Sequence, residues 1–153
     1  MVYTTAADVI TLNGRIVGLG GDTVDVDPTV EVLALEGLGG DDRFEIFASN
    51  NPRIELFGQA GDDLYNIADV SSLSSEIAIF DSVGSENDTL LVTGTVNSDE
   101  FVVNENLITV NGAVLSPTNG GNIIGVEGFT FDGRESDDIF RICLLYTSDA
   151  ADE

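Results

Sequence analysis

The sequence contains no histidine and no tryptophan, its basic residues are five arginines, and it has a single cysteine among 153 residues. With no imidazole and one thiol, the usual His/Cys metal centres are excluded, as is a disulfide within the chain. The common proton shuttles and activated nucleophiles are missing too, since histidine and lysine are absent and no G-x-S-x-G turn occurs. No run of eighteen apolar residues and no basic-then-apolar leader appears, which argues against membrane insertion and places any export signal outside this stretch. Prolines are few, and Pro28, Pro52 and Pro117 all fall between apolar runs, so no expected strand is interrupted.

What is abundant is acid. The 28 Asp and Glu residues give a formal charge of -23, which excludes nucleic acid and anionic membrane as partners. So dense a charge repels itself in a compact state unless bound cations relieve it, or unless the acids are spread over a solvated surface of the kind an extracellular protein carries. The hydrophobic share of 42% is that of a folded chain, and the length gives room for one domain with a moderate core.

Residues 143–153, CLLYTSDAADE, carry the lone Cys143 and break the pattern of everything before them. They resemble the in-frame translation of a transposase sequencing adapter, which implies that the native reading ends near Ile142 and that fold reasoning belongs to residues 1–142. A stop there cuts an expected strand, and an exposed strand end invites fraying or edge association.

Helical periodicity is absent. Short apolar alternations recur between Gly, Asn, Asp and Ser clusters instead, as strands joined by tight turns do. Four segments share one plan. Val32, Leu33 and Leu35 lead through Gly37, Gly39 and Gly40 to Asp41 and Asp42, and out through Phe44 and Ile46. Ile54 and Leu56 lead through Gly58 and Gly61 to Asp62 and Asp63, and out through Tyr65 and Ile67. Ile77 and Ile79 lead across Gly84 to Asp88, and Phe129 and Phe131 lead through Gly133 to Asp137 and Asp138. Asp42, Asp63 and Asp88 stand 21 and then 25 residues apart, in the range of one coil of a solenoid. A weaker repeat relates residues 6–46 to residues 97–142 as two degenerate copies. The expectation is an all-β chain, a parallel β-helix or β-roll-like solenoid. A β-sandwich, built on antiparallel pairing, is the alternative.

Each Gly-rich turn offers Asp carboxylates and bent backbone carbonyls, the oxygen donors a hard cation such as calcium needs. The turns GLGGDDRFE (Gly37, Gly40, Asp42, Phe44) and GQAGDDLYN (Gly58, Gly61, Asp63, Tyr65) resemble the RTX, or haemolysin-type, calcium-binding repeat G-G-x-G-x-D-x-U-x, departing from it at Leu38 and Gln59. The resemblance implies calcium held by Asp41, Asp42, Asp62 and Asp63 with Gly37, Gly40, Gly58 and Gly61, and more weakly by Asp88 and Asp138. It also implies a large secreted, adhesin-like bacterial parent. Here each nonapeptide stands alone, whereas the family sets them in tandem. The competing reading is turn chemistry alone, since Asx side chains cap their own backbone; at Asp88 and Asp138 it is the simpler one.

The functional expectation is a non-catalytic structural or adhesive module at the cell surface or outside it, with calcium and surface glycans or other cell-surface proteins as partners. A carbohydrate-binding or carbohydrate-active β-helix is the alternative. Against an enzyme stands the geometry of adjacent acids such as Asp41 and Asp42, which point to opposite faces of an extended chain and cannot share acid/base work.

Overall fold

The computed structural model describes residues 7–14, 16–19, 22–27, 29–49, 53–68, 75–81, 87–104, 107–111, 113–114 and 123–143. Cys143 closes a strand, and the rest of the adapter-like tail lies outside the described residues.

Fifteen strands follow one another: β1 (Val9–Gly14), β2 (Ile16–Leu19), β3 (Asp22–Asp25), β4 (Val32–Glu36), β5 (Arg43–Ser49), β6 (Arg53–Phe57), β7 (Leu64–Ala68), β8 (Glu76–Phe80), β9 (Thr89–Thr93), β10 (Glu100–Asn104), β11 (Leu107–Val110), β12 (Ala113–Val114), β13 (Ile123–Ile124), β14 (Gly128–Asp132) and β15 (Ile139–Cys143). None of the described residues is helical, so the chain is all-β.

The largest sheet has the order β14-β9-β7-β5-β1-β2-β3. Its first five strands run parallel and the last two close it by antiparallel hairpins. A second sheet, β13-β8-β6-β4, is parallel throughout. The third, β12-β11-β10-β15, joins antiparallel hairpins to the parallel pair β10–β15. From β4 to β9 the chain alternates between the first two of these sheets, one strand in each.

Alternation along each strand decides what is buried, because successive side chains point to opposite faces. Ile10 and Leu12 of β1 stand in register with Phe44 and Ile46, which stand in register with Tyr65 and Ile67, and these with Leu90 and Val92. All eight are buried. Ile54 and Leu56 pair with Ile77 and Ile79 to present the matching face of the second sheet, and one core cluster contains both sets. Each such side chain contributes about 1.5–3 kcal/mol on burial. Equivalent aromatic positions stack: the Phe44 and Tyr65 rings lie 5.1 Å apart at 11°, and those of Phe57 and Phe80 5.2 Å apart at 19°.

Candidate metal centre

The connections from β4 to β5 and from β6 to β7 are built alike, with a glycine at the strand end and an Asp five residues later. Asp42 and Asp63 are each 1% exposed. Their carboxylates bind backbone, not each other. Asp42 Oδ1 accepts the Asp8 N–H at 2.7 Å, Asp63 Oδ1 the Asp42 N–H at 2.7 Å, and Asp88 Oδ1 the Asp63 N–H at 2.8 Å, while Glu127 Oε2 accepts the Asp88 N–H at 3.0 Å. Each Asp main-chain carbonyl in turn accepts the amide that opens the next strand, as Asp42 O does from Leu64 at 2.9 Å and Asp63 O from Thr89 at 2.9 Å. A column of acids therefore stitches one corner of the molecule together by satisfying amides that the turns would otherwise strand.

The glycines are dictated by the same geometry. Asp42 Oδ2 occupies the space where a Cβ on Gly37 would lie, 2.1 Å away, and Asp63 Oδ2 does the same at Gly58 at 2.1 Å. Gly133 with Asp138 repeats the arrangement at 2.0 Å, and Gly94 with Asp99 at 2.5 Å. Gly40 and Gly61 have positive φ, 105° and 134°. A Cβ on Gly61 would also meet Gly40 O at 2.2 Å, because the two corners are in contact. Leu38 and Gln59, the positions at which the two turns depart from the repeat pattern, have φ of 81° and 79°, a region that disfavours every side chain.

The candidate ligands drawn from the sequence divide into three sets. Asp41 and Asp62 are exposed and form an outer ladder, Asp41 Oδ1 accepting the Asp62 N–H at 3.0 Å and Asp62 Oδ1 the Asn87 N–H at 2.9 Å. Asp138 belongs to another corner, where its Oδ1 accepts the Asp99 N–H at 2.9 Å. Asp63 and Asp88 come together with a residue the motif did not indicate, Asp81, one oxygen from each lying within 4.8 Å of the others. Among the described residues this is the one cluster of three such groups, and it does not include Asp42.

Asp81 follows β8 directly, at the place where Gly37 follows β4 and Gly58 follows β6. That substitution was the signal available in the sequence: a carboxylate where the two better-matched turns have glycine. The side chain turns toward the neighbouring corner. Asp81 Oδ1 accepts the Gln59 N–H at 2.9 Å, and Oδ2 accepts the Tyr65 hydroxyl, which itself accepts the Gly58 N–H at 3.0 Å.

The three carboxylates are buried, and Asp63 Oδ2, like Asp42 Oδ2 outside the cluster, has no hydrogen-bond partner. Burial foremost, then the charges of Asp81, Asp42 and Asp88, push the Asp63 carboxyl up to about 7 against the partial relief of its bond from the Asp42 amide. Burial also raises Asp42, and it raises the Tyr65 hydroxyl together with the Asp81 carboxylate that it donates to. The nearby arginines with ion pairs are engaged elsewhere, Arg43 with Glu45 at 2.7 Å and Arg53 with Glu55 at 2.7 Å and Glu76 at 3.0 Å. A buried group of three acids with an unsatisfied oxygen needs either protons or a cation. Its donors are all oxygen, which fits a hard divalent ion and not a soft one. In comparisons with known protein families, curated proteins and solved structures, nothing matches this chain.

Proposed function

We propose that the chain is a stretch of parallel β-solenoid, related to RTX repeats in its corner motif, that serves as a non-catalytic structural or adhesive module of an extracellular or cell-surface protein and binds calcium between Asp63, Asp81 and Asp88. The observation that carries the reading is the orphaned, buried Oδ2 of Asp63 within a cluster of three carboxylates. Two further features support it. Strands that alternate between the parallel parts of two sheets make a stack whose length grows with each added pair, which suits a spacer or stalk. The cluster is also buried, with Asp63 and Asp88 each 1% exposed, which suits a bare ion better than a sugar or peptide.

Calcium bound only by the folded state would couple folding to the calcium-rich exterior of the cell. The test is thermal unfolding in chelator, in calcium and in magnesium, for the native chain and for Asp81→Asn. At a hundredfold excess over the dissociation constant calcium adds about 2.7 kcal/mol, or roughly 5–10 °C for a chain of this size. The expected result is that rise in the native chain with calcium alone and its loss in Asp81→Asn. Equal melting temperatures in chelator and calcium would remove the ion from the account and leave the corner acids as turn chemistry.

A further inference from the structure

Residues 30–42 and 126–138 align without a gap, so that Val30, Glu31, Gly37 and Asp42 recur as Val126, Glu127, Gly133 and Asp138. The surrounding strands correspond as well. β1 has β2 antiparallel on one side and β5 parallel on the other, and β10 has β11 and β15 in the same senses. Even the joints agree. The Asp8 N–H donates to Asp42 Oδ1 at 2.7 Å and the Arg43 N–H to Asp8 O at 2.8 Å, just as the Asp99 N–H donates to Asp138 Oδ1 at 2.9 Å and the Ile139 N–H to Asp99 O at 2.8 Å.

One relation present in the second copy is absent from the first among the described residues. β14 pairs in parallel with β9, the strand that leads into the Asp99 corner, from Gly128 opposite Thr89 to Asp132 opposite Thr93. This interface is fastened at both ends. The Gly128 N–H donates to Asp88 O at 2.9 Å and the Gly94 N–H to Asp132 O at 2.8 Å, while Glu127 Oε2 accepts the Asp88 N–H at 3.0 Å. The counterpart of β14 is β4, which ends its sheet and has a neighbour on one side only among the described residues. Glu31, the counterpart of Glu127, is exposed, as are Val32 at 48% and Ala34.

We propose that the edge of β4, which has no neighbour on that side among the described residues, is a receptor for one parallel strand of a neighbouring repeat unit, a β9-like segment. Glu31 accepts the amide of the residue just before the arriving strand, and the Val32 amide donates to that residue's carbonyl, as Glu127 and Gly128 do with Asp88. The occupant is apolar and uncharged, like the Thr-Leu-Leu-Val-Thr of β9, because the receiving edge is flanked by the acids Glu31 and Glu36 and a like-charged strand would be repelled. Pairing of this kind would chain repeat units into one continuous sheet, and it stands independently of the calcium reading.

The test is an extended chain in which residues 87–98 are repeated directly ahead of Asp8 in place of residues 1–7, compared with the unextended chain by amide hydrogen exchange. The Val32 amide is expected to exchange about tenfold or more slowly in the extended chain, since it gains a backbone acceptor. The gain should vanish when the added copies of Leu90 and Val92 are aspartates. Exchange at the unextended rate in a chain that keeps its far-UV β signal would overturn the proposal. Should the extension prevent folding, a free peptide of residues 87–98 offered to the unextended chain should shift the Val32, Ala34 and Glu36 amide resonances, and unchanged resonances would equally overturn it.

Discussion

Substituting Gly58 by alanine probes the corner geometry at its tightest point. Gly58 has an ordinary negative-side backbone, so on conformational grounds alone alanine there should stabilise the protein by about 0.4–1 kcal/mol through the unfolded chain. The structure predicts the opposite sign. The new Cβ would lie 2.1 Å from Asp63 Oδ2, 2.3 Å from the Tyr65 hydroxyl and 2.7 Å from Asp63 Cγ. Neither group can swing away freely, since Asp63 Oδ1 holds the Asp42 amide and the Tyr65 hydroxyl is held between Gly58 N–H and Asp81. Relief by displacing the carboxylate removes a charge-assisted bond of about 1.5–3 kcal/mol, and accommodation without displacement carries an overpacking penalty of about 1–3 kcal/mol. Net of the entropic gain, Gly58→Ala should lose about 1–2 kcal/mol. Urea unfolding at fixed pH measures it, with the change read from the midpoint at constant slope. Asp63→Ala in the same background should cancel most of the steric part, so the two substitutions should couple by more than about 1 kcal/mol in a double-mutant cycle. A neutral or stabilising Gly58→Ala would refute the fold-back of the carboxylate over the glycine.

Four other outcomes follow from the same structure. In chelator, stability should fall as pH rises from about 4 to 7. The unfolded Asp63 loses its proton near 3.8 and the folded one only near 7, so the unfolded state binds fewer protons across that window, and the whole effect is on the order of 4 kcal/mol. A melting temperature flat across that range contradicts the buried cluster. Leu38→Gly and Gln59→Gly relieve positive φ at 81° and 79°, and each should raise stability by about 0.5–1 kcal/mol after the entropy of glycine is offset; a loss in both would mean that the side chains matter more than the backbone. Tyr65→Phe strips a partner from the Gly58 amide and from Asp81, so denaturant unfolding should show about 2 kcal/mol lost. Leu56→Ala, at a fully buried site in the second sheet, should lose about 2–5 kcal/mol, and less than about 1 would mean that the two sheets do not share a core.

Much of this architecture is legible in the residues. The apolar alternations around Gly37, Gly58 and Gly133 mark β4 to β7, β14 and β15, because a strand that buries one face must alternate and a tight corner must shed its side chains. The acids Asp42 and Asp63 stand out for the same reason, but their two uses do not separate on paper. An Asp that caps amides and an Asp that ligates a cation occupy the same place in a Gly-rich turn, and here the first use is visible in the Asp8 and Asp42 amides. Asp81 was hidden because its turn is longer and fits the repeat pattern poorly. Its neighbours across the corner, Gln59 and Tyr65, are 22 and 16 residues away in sequence, and only the parallel stacking of strands brings them together. Pairing sense was hidden as well. Ile10 and Phe101 each belong to an alternating strand that lies between an antiparallel hairpin partner and a parallel one, and nothing in a period of two distinguishes the two senses.

The most direct measurement is a calcium titration followed through the side-chain carboxylate carbon resonances of the aspartates. The account predicts that the Asp63, Asp81 and Asp88 signals move together and saturate at one ion, while those of the outer pair Asp41 and Asp62 stay in place. Movement of Asp41 and Asp62 with the inner three silent would contradict it and return the ion to the exposed turns.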